Sequence, residues 1–342
     1  MGWRNRSFFV PLFFSFFYIF LVLELYFCFL MPVEDKDSVT IVVKRGESAE
    51  KVAKKLMEKK IINNVFPFLF FAKLTGLESS IKYGKHKLRR NLPSFRALWA
   101  ITRKNAGRVE EIVTIFEGST LKEITRTLNY WLGIDTLRFL ELCNDPVFIK
   151  KLSVKSPLLG NPPSLEGYLF PDTYKFLWGE PEEEIIEKMI RRLFEIWSPR
   201  YSLRAESLHM NLHQILTLAS IIEKESAREN ERFLISAVFH NRLERGKHLE
   251  SCATVEYILP KRKARLTYAD LKIDSPYNTY MYKGLPPTPI CSPGLISIYA
   301  ALYPAPVKYL YFVSKGDGTH LFANTWREHE RNKKLVKRML IP

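Results

Sequence analysis

The residues with the clearest chemical potential lie in the stretch Leu216–Ser226, which reads Leu-Thr-Leu-Ala-Ser-Ile-Ile-Glu-Lys-Glu-Ser. Its apolar run predicts a buried helix, and two carboxylates, Glu223 and Glu225, stand at the end of that helix. A carboxyl group among apolar neighbours can have its pKa raised until it donates a proton near neutral pH. Cleavage of a glycosidic bond requires a general acid of this kind.

Helical spacing separates these two carboxylates. Because they are two positions apart, Glu223 and Glu225 point about 200° away from each other around the helix axis. They therefore cannot flank one bond as the carboxylate pair of a glycosidase does. The periodicity does not decide which of them is buried, and both can also be ordinary acids at a helix end.

Helices on both sides position this stretch. Asn211 and Gln214 have the spacing of a capping box at the start of the key helix, and a second helix is predicted over residues 231–245. An amphipathic helix over residues 181–197 precedes them, with acids in its first turn. Residues 146–163 contain prolines and serines, and we interpret them as a loop.

Two aromatic stretches are candidates for contact with a substrate. Residues 164–176 alternate aromatic rings with polar groups, a composition that suits stacking on sugar faces, although a buried aromatic turn is an equally good interpretation. Residues 274–294 hold so many prolines and tyrosines that they cannot form a helix interior or a central strand. We expect this second stretch to be a rigid functional loop, and for an active Glu223 it must close over that residue.

A smaller unit precedes this region. A short strand over residues 38–43, helices over 49–60 and 66–74, a strand or turn over 81–88 and a helix capped by Ser94 predict an α+β module of about seventy residues. A Gly-containing break near residue 107 ends it, and a strand over 110–116 followed by a helix over 121–132 opens the next domain.

The first residues of the chain predict a membrane anchor. After Arg4 and Arg6, residues 7–31 are almost entirely apolar, and Glu24 is their only charge. A run of this length matches the hydrocarbon thickness of a bilayer, and no cleavage pattern follows it. The two arginines favour a cytoplasmic amino terminus, which would place the remaining chain outside the membrane.

Composition and charge narrow the classes of partner. The hydrophobic fraction of 46% argues against a disordered chain, and the formal charge of +16 falls almost entirely after residue 32. A basic external domain suits anionic lipid or an anionic wall polymer, while the anchor argues against nucleic acid as the partner. Cys143, Cys252 and Cys291 match no zinc spacing, and at most one pair of them could form a disulfide.

Six motifs follow one another within residues 108–336. They are Glu-Gly-Tyr-Leu-Phe-Pro-Asp-Thr-Tyr at 166–174, Leu-Ala-Ser-Ile-Ile-Glu-Lys-Glu at 218–225, Val-Phe-His-Asn-Arg-Leu at 238–243, Ile-Asp-Ser-Pro-Tyr-Asn-Thr-Tyr at 273–280, Gly-Leu-Pro-Pro-Thr-Pro-Ile at 284–290 and Gly-Asp-Gly-Thr-His at 316–320. In this order they resemble the MltG/YceG family of endolytic murein transglycosylases. The strand, Gly-Glu-Ser turn and helix near residue 46 resemble the LysM-like module that precedes the catalytic region in this family.

The resemblance implies an α+β architecture with an anchor at 1–32, a LysM-like module at 33–106 and a catalytic domain at 107–342. It implies that Glu223 is the catalytic residue, first as the acid that protonates the oxygen between MurNAc and GlcNAc. As a base, Glu223 would then help the C6 hydroxyl of MurNAc attack C1, leaving a 1,6-anhydro end. This internal nucleophile removes the need for a second carboxylate, and no metal or organic cofactor is implied.

The same motifs imply the residues that position substrate. The candidates are Tyr277, Asn278 and Tyr280, with Glu166, Tyr168 and Thr254 as weaker ones. The chain departs from the family where many relatives have an acid, because Cys252 stands at that position. This departure puts any role of the acid in orienting substrate in doubt. The resemblance also implies peptidoglycan as substrate, peptidoglycan synthases as partners and a place at the plasma membrane with the catalytic domain outside the cytoplasm.

Two alternatives stay open on the sequence alone. One is a non-catalytic scaffold that binds the wall through the LysM-like module and the aromatic loops. The other is a cysteine hydrolase built on Cys252 or Cys291 with one of His240, His248 and His320, which only the residue types support. Each histidine also has an ordinary interpretation as a structural hydrogen-bonding group.

Overall fold

The computed structural model of the chain describes most of the residues that follow the predicted anchor. The described ranges are 37–103, 109–226, 228–261, 263 and 266–339. The predicted membrane segment at 7–31 lies outside them. Within them no helix combines the length and the apolar character that a membrane span needs. The described residues form two compact units, one from residues 37–111 with 175–180 and one from residues 112–174 with 181–339.

The first unit packs three helices on a two-stranded antiparallel sheet. Its elements are β1 (Ser38–Val43), α1 (Ala49–Glu58), α2 (Val65–Leu74), a 3-10 turn at Leu77–Ser80, β2 (Gly84–Arg89) and α3 (Ser94–Thr102). The register pairs Ser38 with Arg89 and Val43 with Gly84. Alternate residues of β1 and the apolar stripe of α1 form the core of the unit. The strands and helices predicted for this module are confirmed.

The start of α3 differs in detail from the prediction. Ser94 does not cap the helix but is its first residue, and the cap position belongs to Pro93, which makes no side-chain hydrogen bond. Pro93 has the extended backbone that a cap needs, since its ring restricts φ, and the helix can begin directly after it.

The second unit is mostly helical. Its elements are β3 (Glu110–Thr114), α4 (Leu121–Leu132), α5 (Thr136–Asn144), α6 (Pro146–Lys155), a 3-10 turn at Pro157–Leu159, β4 (Thr173–Leu177), α7 (Glu182–Ile196), α8 (Pro199–Ser207), α9 (Leu212–Glu225), α10 (Glu229–Glu244), α11 (Cys252–Ile258), a 3-10 turn at Asp270–Lys272, α12 (Leu295–Leu302), β5 (Tyr311–Ser314), β6 (His320–Ala323) and α13 (Trp326–Met339). The strands β3 and β4 form one small sheet, and β5 and β6 form another.

The key helix α9 is the centre of the second unit. Every residue from Ile215 to Ile222 is buried, and α10 and α12 pack against the helix. The predicted capping box is confirmed, because Asn211 accepts from the Gln214 N–H and Gln214 accepts from the Asn211 N–H, both at 2.9 Å. A helix buried on all sides gives a rigid base to whatever stands at its end.

The predicted loop at 146–163 is wrong over most of its length, because residues 146–155 form α6. The Asp145 side chain accepts from the N–H groups of Val147 and Phe148, and Pro146 occupies the first turn. Proline needs no partner for an N–H there, so a residue that we interpreted as a break is part of a helix start.

Removal of the cap of α9 should destabilise the chain. We expect Asn211→Ala to lower the free energy of unfolding by about 1 kcal/mol, because the helix loses its side-chain acceptor and the capping box with it. Urea unfolding measures the change. The matched control is Asn161→Ala in an exposed loop, and an equal loss in both variants would contradict the role of the cap.

Candidate active site

Glu223 stands at the end of α9 with its side chain only 6% exposed. Arg232 of α10 donates to both carboxylate oxygens, from Nη2 to Oε1 at 2.8 Å and from Nη1 to Oε2 at 3.3 Å. The Gly294 N–H, just before α12, donates to Oε2 at 3.0 Å. The Glu223 carboxyl therefore receives three N–H donors, a set of contacts that suits a carboxylate ion.

Glu225 points to a different environment, as the helical spacing predicts. Its carboxylate accepts from the hydroxyl of Ser251, just before α11. Burial raises the pKa of Glu225, while the Ser251 hydroxyl and the Ala253 N–H oppose this rise. Glu225 therefore connects α9 to α11 and lies on another side of the helix from Glu223.

Glu117 is a second acid at the Glu223 site. It follows β3, and its Oε2 atom lies 3.7 Å from Nη1 of Arg232, the arginine that binds Glu223. The Glu117 side chain is 49% exposed, in contrast to the buried Glu223. Partial burial and the nearby Glu223 carboxylate raise the pKa of Glu117, and Arg232 works against that rise.

The spacing of residues in the sequence does not indicate that Glu117 lies near Glu223. Glu117 lies far from Glu223 along the chain, and the Glu117-Gly-Ser segment is an ordinary turn between a strand and a helix. The sequence feature that could have indicated Glu117 is a carboxylate followed by glycine at the end of a strand, because loops at strand ends often carry functional residues.

Two glycines let the surrounding loops approach these acids. A Cβ atom on Gly294 would lie 2.0 Å from the carboxyl carbon of Glu117. Gly118 has a φ of +76°, and a Cβ atom there would lie 3.6 Å from Cγ of Glu223. The two loops also pair through their backbones, since Gly118 N donates to Ser292 O and Ser292 N to Ser119 O, both at 2.8 Å.

The loop that we expect to close over Glu223 reaches α9 through its carboxyl end. Ile290 N donates to Oγ of Ser220 at 3.0 Å, one helical turn before Glu223. The Cys291 thiol contacts the Ser220 carbonyl oxygen at 3.4 Å. Together with the Gly294 contact, these bonds place residues 290–294 against the end of α9.

The predicted positioning residues of this loop differ in accessibility. Asn278 is buried, and its Nδ2 donates to the carbonyls of Leu271 and Ile273 at 3.0 and 2.8 Å. Tyr277 and Tyr280 are half-buried. The Tyr277 hydroxyl lies 2.8 Å from Oγ1 of Thr288, and the Tyr280 hydroxyl lies 3.1 Å from the Cys252 sulfur. Asn278 thus shapes its own loop, and contact of these residues with substrate stays a prediction.

The three weaker candidates are buried. Glu166 is 4% exposed and accepts from Leu121 N at 3.0 Å and from the Tyr257 hydroxyl at 3.1 Å. The Tyr168 hydroxyl lies 2.8 Å from Nδ1 of His213. Thr254 donates to the Ser251 carbonyl at 2.8 Å. These contacts connect elements around the site, and direct contact with a substrate stays a prediction for all three.

The cysteine-based alternative finds no support in the contacts. Cys143, Cys252 and Cys291 are free thiols, and burial raises the pKa of each. A nucleophilic cysteine needs a lowered pKa and a nearby base. The three histidines make hydrogen bonds to groups other than these thiols: His240 to Ala301 O, His248 to Met281 O and His320 to the Glu231 carboxylate.

Two further observations describe the surroundings of the acids. A groove of about 490 Å³ begins next to Gly294 and is lined by Tyr201, Glu229, Asn230, Phe233, Leu295, Ile296 and Tyr299. Aromatic and polar groups in one groove suit a sugar ring, which stacks through its faces and bonds through its hydroxyls. Throughout the described ranges, no group of three or more His, Cys, Asp or Glu side chains is arranged to hold a metal ion.

The buried Glu166 makes stability depend on pH. Burial raises the pKa of Glu166 to about 7, above the ordinary value of 4.5. Because the folded chain holds this proton more tightly, the stabilisation is complete below about pH 4.5 and is lost as the pH rises through about 7. We expect this group to lower the free energy of unfolding by on the order of 3 kcal/mol across that range.

Glu166→Gln removes the titration and should flatten this part of the stability profile, as measured by urea unfolding at several pH values. Glu141→Gln, at an exposed position on α5, is the matched control and should keep the wild-type slope. The same slope in Glu166→Gln would show that another group titrates.

Comparison with known proteins places this chain in a family. The family model described as the YceG-like family matches residues 41–335. A Bacillus subtilis protein named endolytic murein transglycosylase is 33% identical over 89% of this chain and 87% of its own length. A Streptococcus pneumoniae protein of the same name is 30% identical over 89% of this chain, which spans 59% of that longer protein.

A solved structure agrees with these matches. The crystal structure of a putative YceG-like protein from Listeria monocytogenes superposes with a TM-score of 0.59 at 32% identity. The match covers 86% of this chain and 99% of the Listeria chain. With a family model that matches most of its length and relatives of this identity, the chain belongs to the YceG-like family.

Proposed function

We propose that this chain is an endolytic lytic transglycosylase that cleaves the β-1,4 bond between MurNAc and GlcNAc within peptidoglycan strands. The names of its relatives support a peptidoglycan transglycosylase. The observation that carries the proposal is the Glu223 carboxyl, fixed at the end of the rigid helix α9 by Arg232 and Gly294. Glu117, a half-exposed acid, lies near the same arginine, and Leu295, the residue after Gly294, lines a groove with aromatic rings.

The reaction needs a proton at one oxygen and removes a proton from another. The glycosidic oxygen is protonated as its bond to C1 of MurNAc breaks, and the C6 hydroxyl of the same sugar attacks C1. The products are a 1,6-anhydro-MurNAc end and a free GlcNAc hydroxyl. In the simplest form, the Glu223 carboxyl gives the first proton and takes the second. Water is not a reactant, which distinguishes the reaction from hydrolysis.

The proposed location rests on the apolar run at residues 7–31 and on the charge of the chain. We propose that residues 7–31 anchor the protein in the plasma membrane and that its catalytic domain lies outside the cytoplasm, where nascent glycan strands are made. Cleavage within such strands would limit their length. The apolar run and the charge of +16, which suits an anionic wall polymer or lipid, support this location. Peptidoglycan synthases are the partners that the resemblance implies.

The first unit is proposed to contact the glycan. It carries two pairs of stacked aromatic rings on α2 and α3, Phe66 with Phe70 and Phe95 with Trp99. Phe66, Phe70 and Trp99 are exposed, and Phe95 is half-buried. Exposed rings of this kind can stack on sugar faces. This contact is the role that the resemblance to a LysM-like module implies.

Substitution of the proposed catalytic carboxyl tests the activity. Incubation of the purified protein with peptidoglycan, followed by mass spectrometry, should show anhydro-MurNAc ends. We expect Glu223→Gln to reduce their formation by about 100- to 10,000-fold, because an amide neither donates nor accepts the proton.

The matched control for this assay is Glu141→Gln on α5, which should keep wild-type activity. Reducing ends in place of anhydro ends would mean hydrolysis. Binding of peptidoglycan without any cleavage by the wild type would favour the non-catalytic scaffold.

A further inference from the structure

The contacts of the Glu223 carboxyl raise a question about the source of the proton. Its three donors, the two Arg232 nitrogens and the Gly294 N–H, all place hydrogen atoms towards its oxygens. Charge-assisted N–H donors of this kind are the partners that suit an ionised carboxylate. A general acid must hold a proton before the bond breaks. Glu223 is therefore better arranged to accept a proton than to donate one.

Glu117 has the opposite environment. Its ion contact to Arg232 is long, 3.7 Å against 2.8 Å for Glu223, and half of its side chain is open to solvent and hence to a substrate. The Glu117 carboxyl carbon comes within 2.0 Å of the position that a Cβ atom of Gly294 would take. The same glycine donates its N–H to Glu223, so both acids meet at one backbone position.

We propose that the two acids divide the proton transfers, so that Glu117 donates the proton to the glycosidic oxygen and the Glu223 carboxylate accepts the proton of the C6 hydroxyl. This assignment rests on the proposed function, and it adds Glu117 as a second catalytic residue that the helical stretch around Glu223 cannot supply.

The steps balance in protons and bonds. The Glu117 proton moves to the glycosidic oxygen as the bond from that oxygen to C1 breaks. The C6 oxygen forms its bond to C1 and loses its proton to Glu223. Glu117 is then an anion and Glu223 is neutral, and a proton returned from Glu223 to Glu117 through solvent restores the start. No proton is gained or lost over the cycle.

The charges at the site fit proton donation by Glu117 and proton acceptance by Glu223. Before the reaction, neutral Glu117, anionic Glu223 and cationic Arg232 sum to no net charge. When Glu117 gives up its proton, the three side chains together become negatively charged. C1 of the substrate develops positive charge at the same moment. A charge change of this sign, in a partly buried site, stabilises the transition state more than the ground state. Burial and the Glu223 carboxylate raise the pKa of Glu117, while Arg232 opposes this rise.

A substrate that needs no acid tests the assignment. A GlcNAc-MurNAc saccharide with a nitrophenyl group at C1 of MurNAc loses nitrophenolate without protonation. We expect Glu117→Gln to slow cleavage of peptidoglycan about 100- to 10,000-fold and to slow cleavage of the nitrophenyl saccharide less than about 10-fold. Glu223→Gln should slow both substrates, because each reaction needs the C6 hydroxyl to lose its proton.

Equal slowing of both substrates by Glu117→Gln would mean that Glu117 only holds Arg232 in place, and no slowing would exclude it from the reaction. Either result overturns the assignment. Formation of anhydro ends by the wild type is scored separately, so that failure of the proposed activity can be told from failure of this inference. Glu141→Gln is again the matched control.

A second variant displaces Glu117 without changing it. In Gly294→Ala the new methyl group occupies the place of the Glu117 carboxyl, while the backbone N–H that binds Glu223 stays. We expect the same selective loss on peptidoglycan, with the nitrophenyl saccharide largely spared. Thermal unfolding of each variant confirms that it is folded. If Glu117→Gln does not fold, the result for Gly294→Ala decides whether the assignment holds. Equal slowing of the cleavage of both substrates, or no slowing of either, overturns the assignment.

Discussion

The ion pair between Glu223 and Arg232 determines much of the second unit. Both side chains are less than 10% exposed, at 6% and 8%, and removing two charges from water is costly unless their geometry and their further hydrogen bonds are good. The end of α9, the first turns of α10 and the residue before α12 must therefore keep fixed relative positions. Removing either member of the ion pair would leave the other charge buried with less compensation.

This constraint also explains the irregular loop before α12. Its last residues bond to α9 at Ser220 and then present the Gly294 N–H to the Glu223 carboxylate. A proline-rich segment loses little entropy when it folds, so it can hold such a position without regular secondary structure. The glycine at its end leaves room for the Glu117 carboxyl, which occupies the place where a side chain would begin.

Patterns among neighbouring residues predicted most helices and strands. They could not predict which distant residues come into contact in the folded chain. The capping box at Asn211 and the apolar run after it define α9 from sequence alone, because both depend on neighbouring residues. The helix α6 was missed because Pro146 serves as a helix start after the cap Asp145, whereas proline in isolation indicates a break. Glu223 was identified by motif resemblance, and Glu117 was not, because only the folded chain brings a residue from the end of β3 next to Arg232.

The buried acids of this unit show why a raised pKa does not by itself identify a catalytic group. Burial raises the pKa of Glu166 and of Glu225, yet both carboxyls are used by hydroxyl and amide donors that connect elements of the fold. Glu223 differs in having a cation as its partner, and Glu117 differs in being open to solvent. A general acid needs a proton and an accessible position, and a base needs a charge that the protein stabilises. In the assignment that we propose, these two requirements are met by two carboxyls that share one arginine.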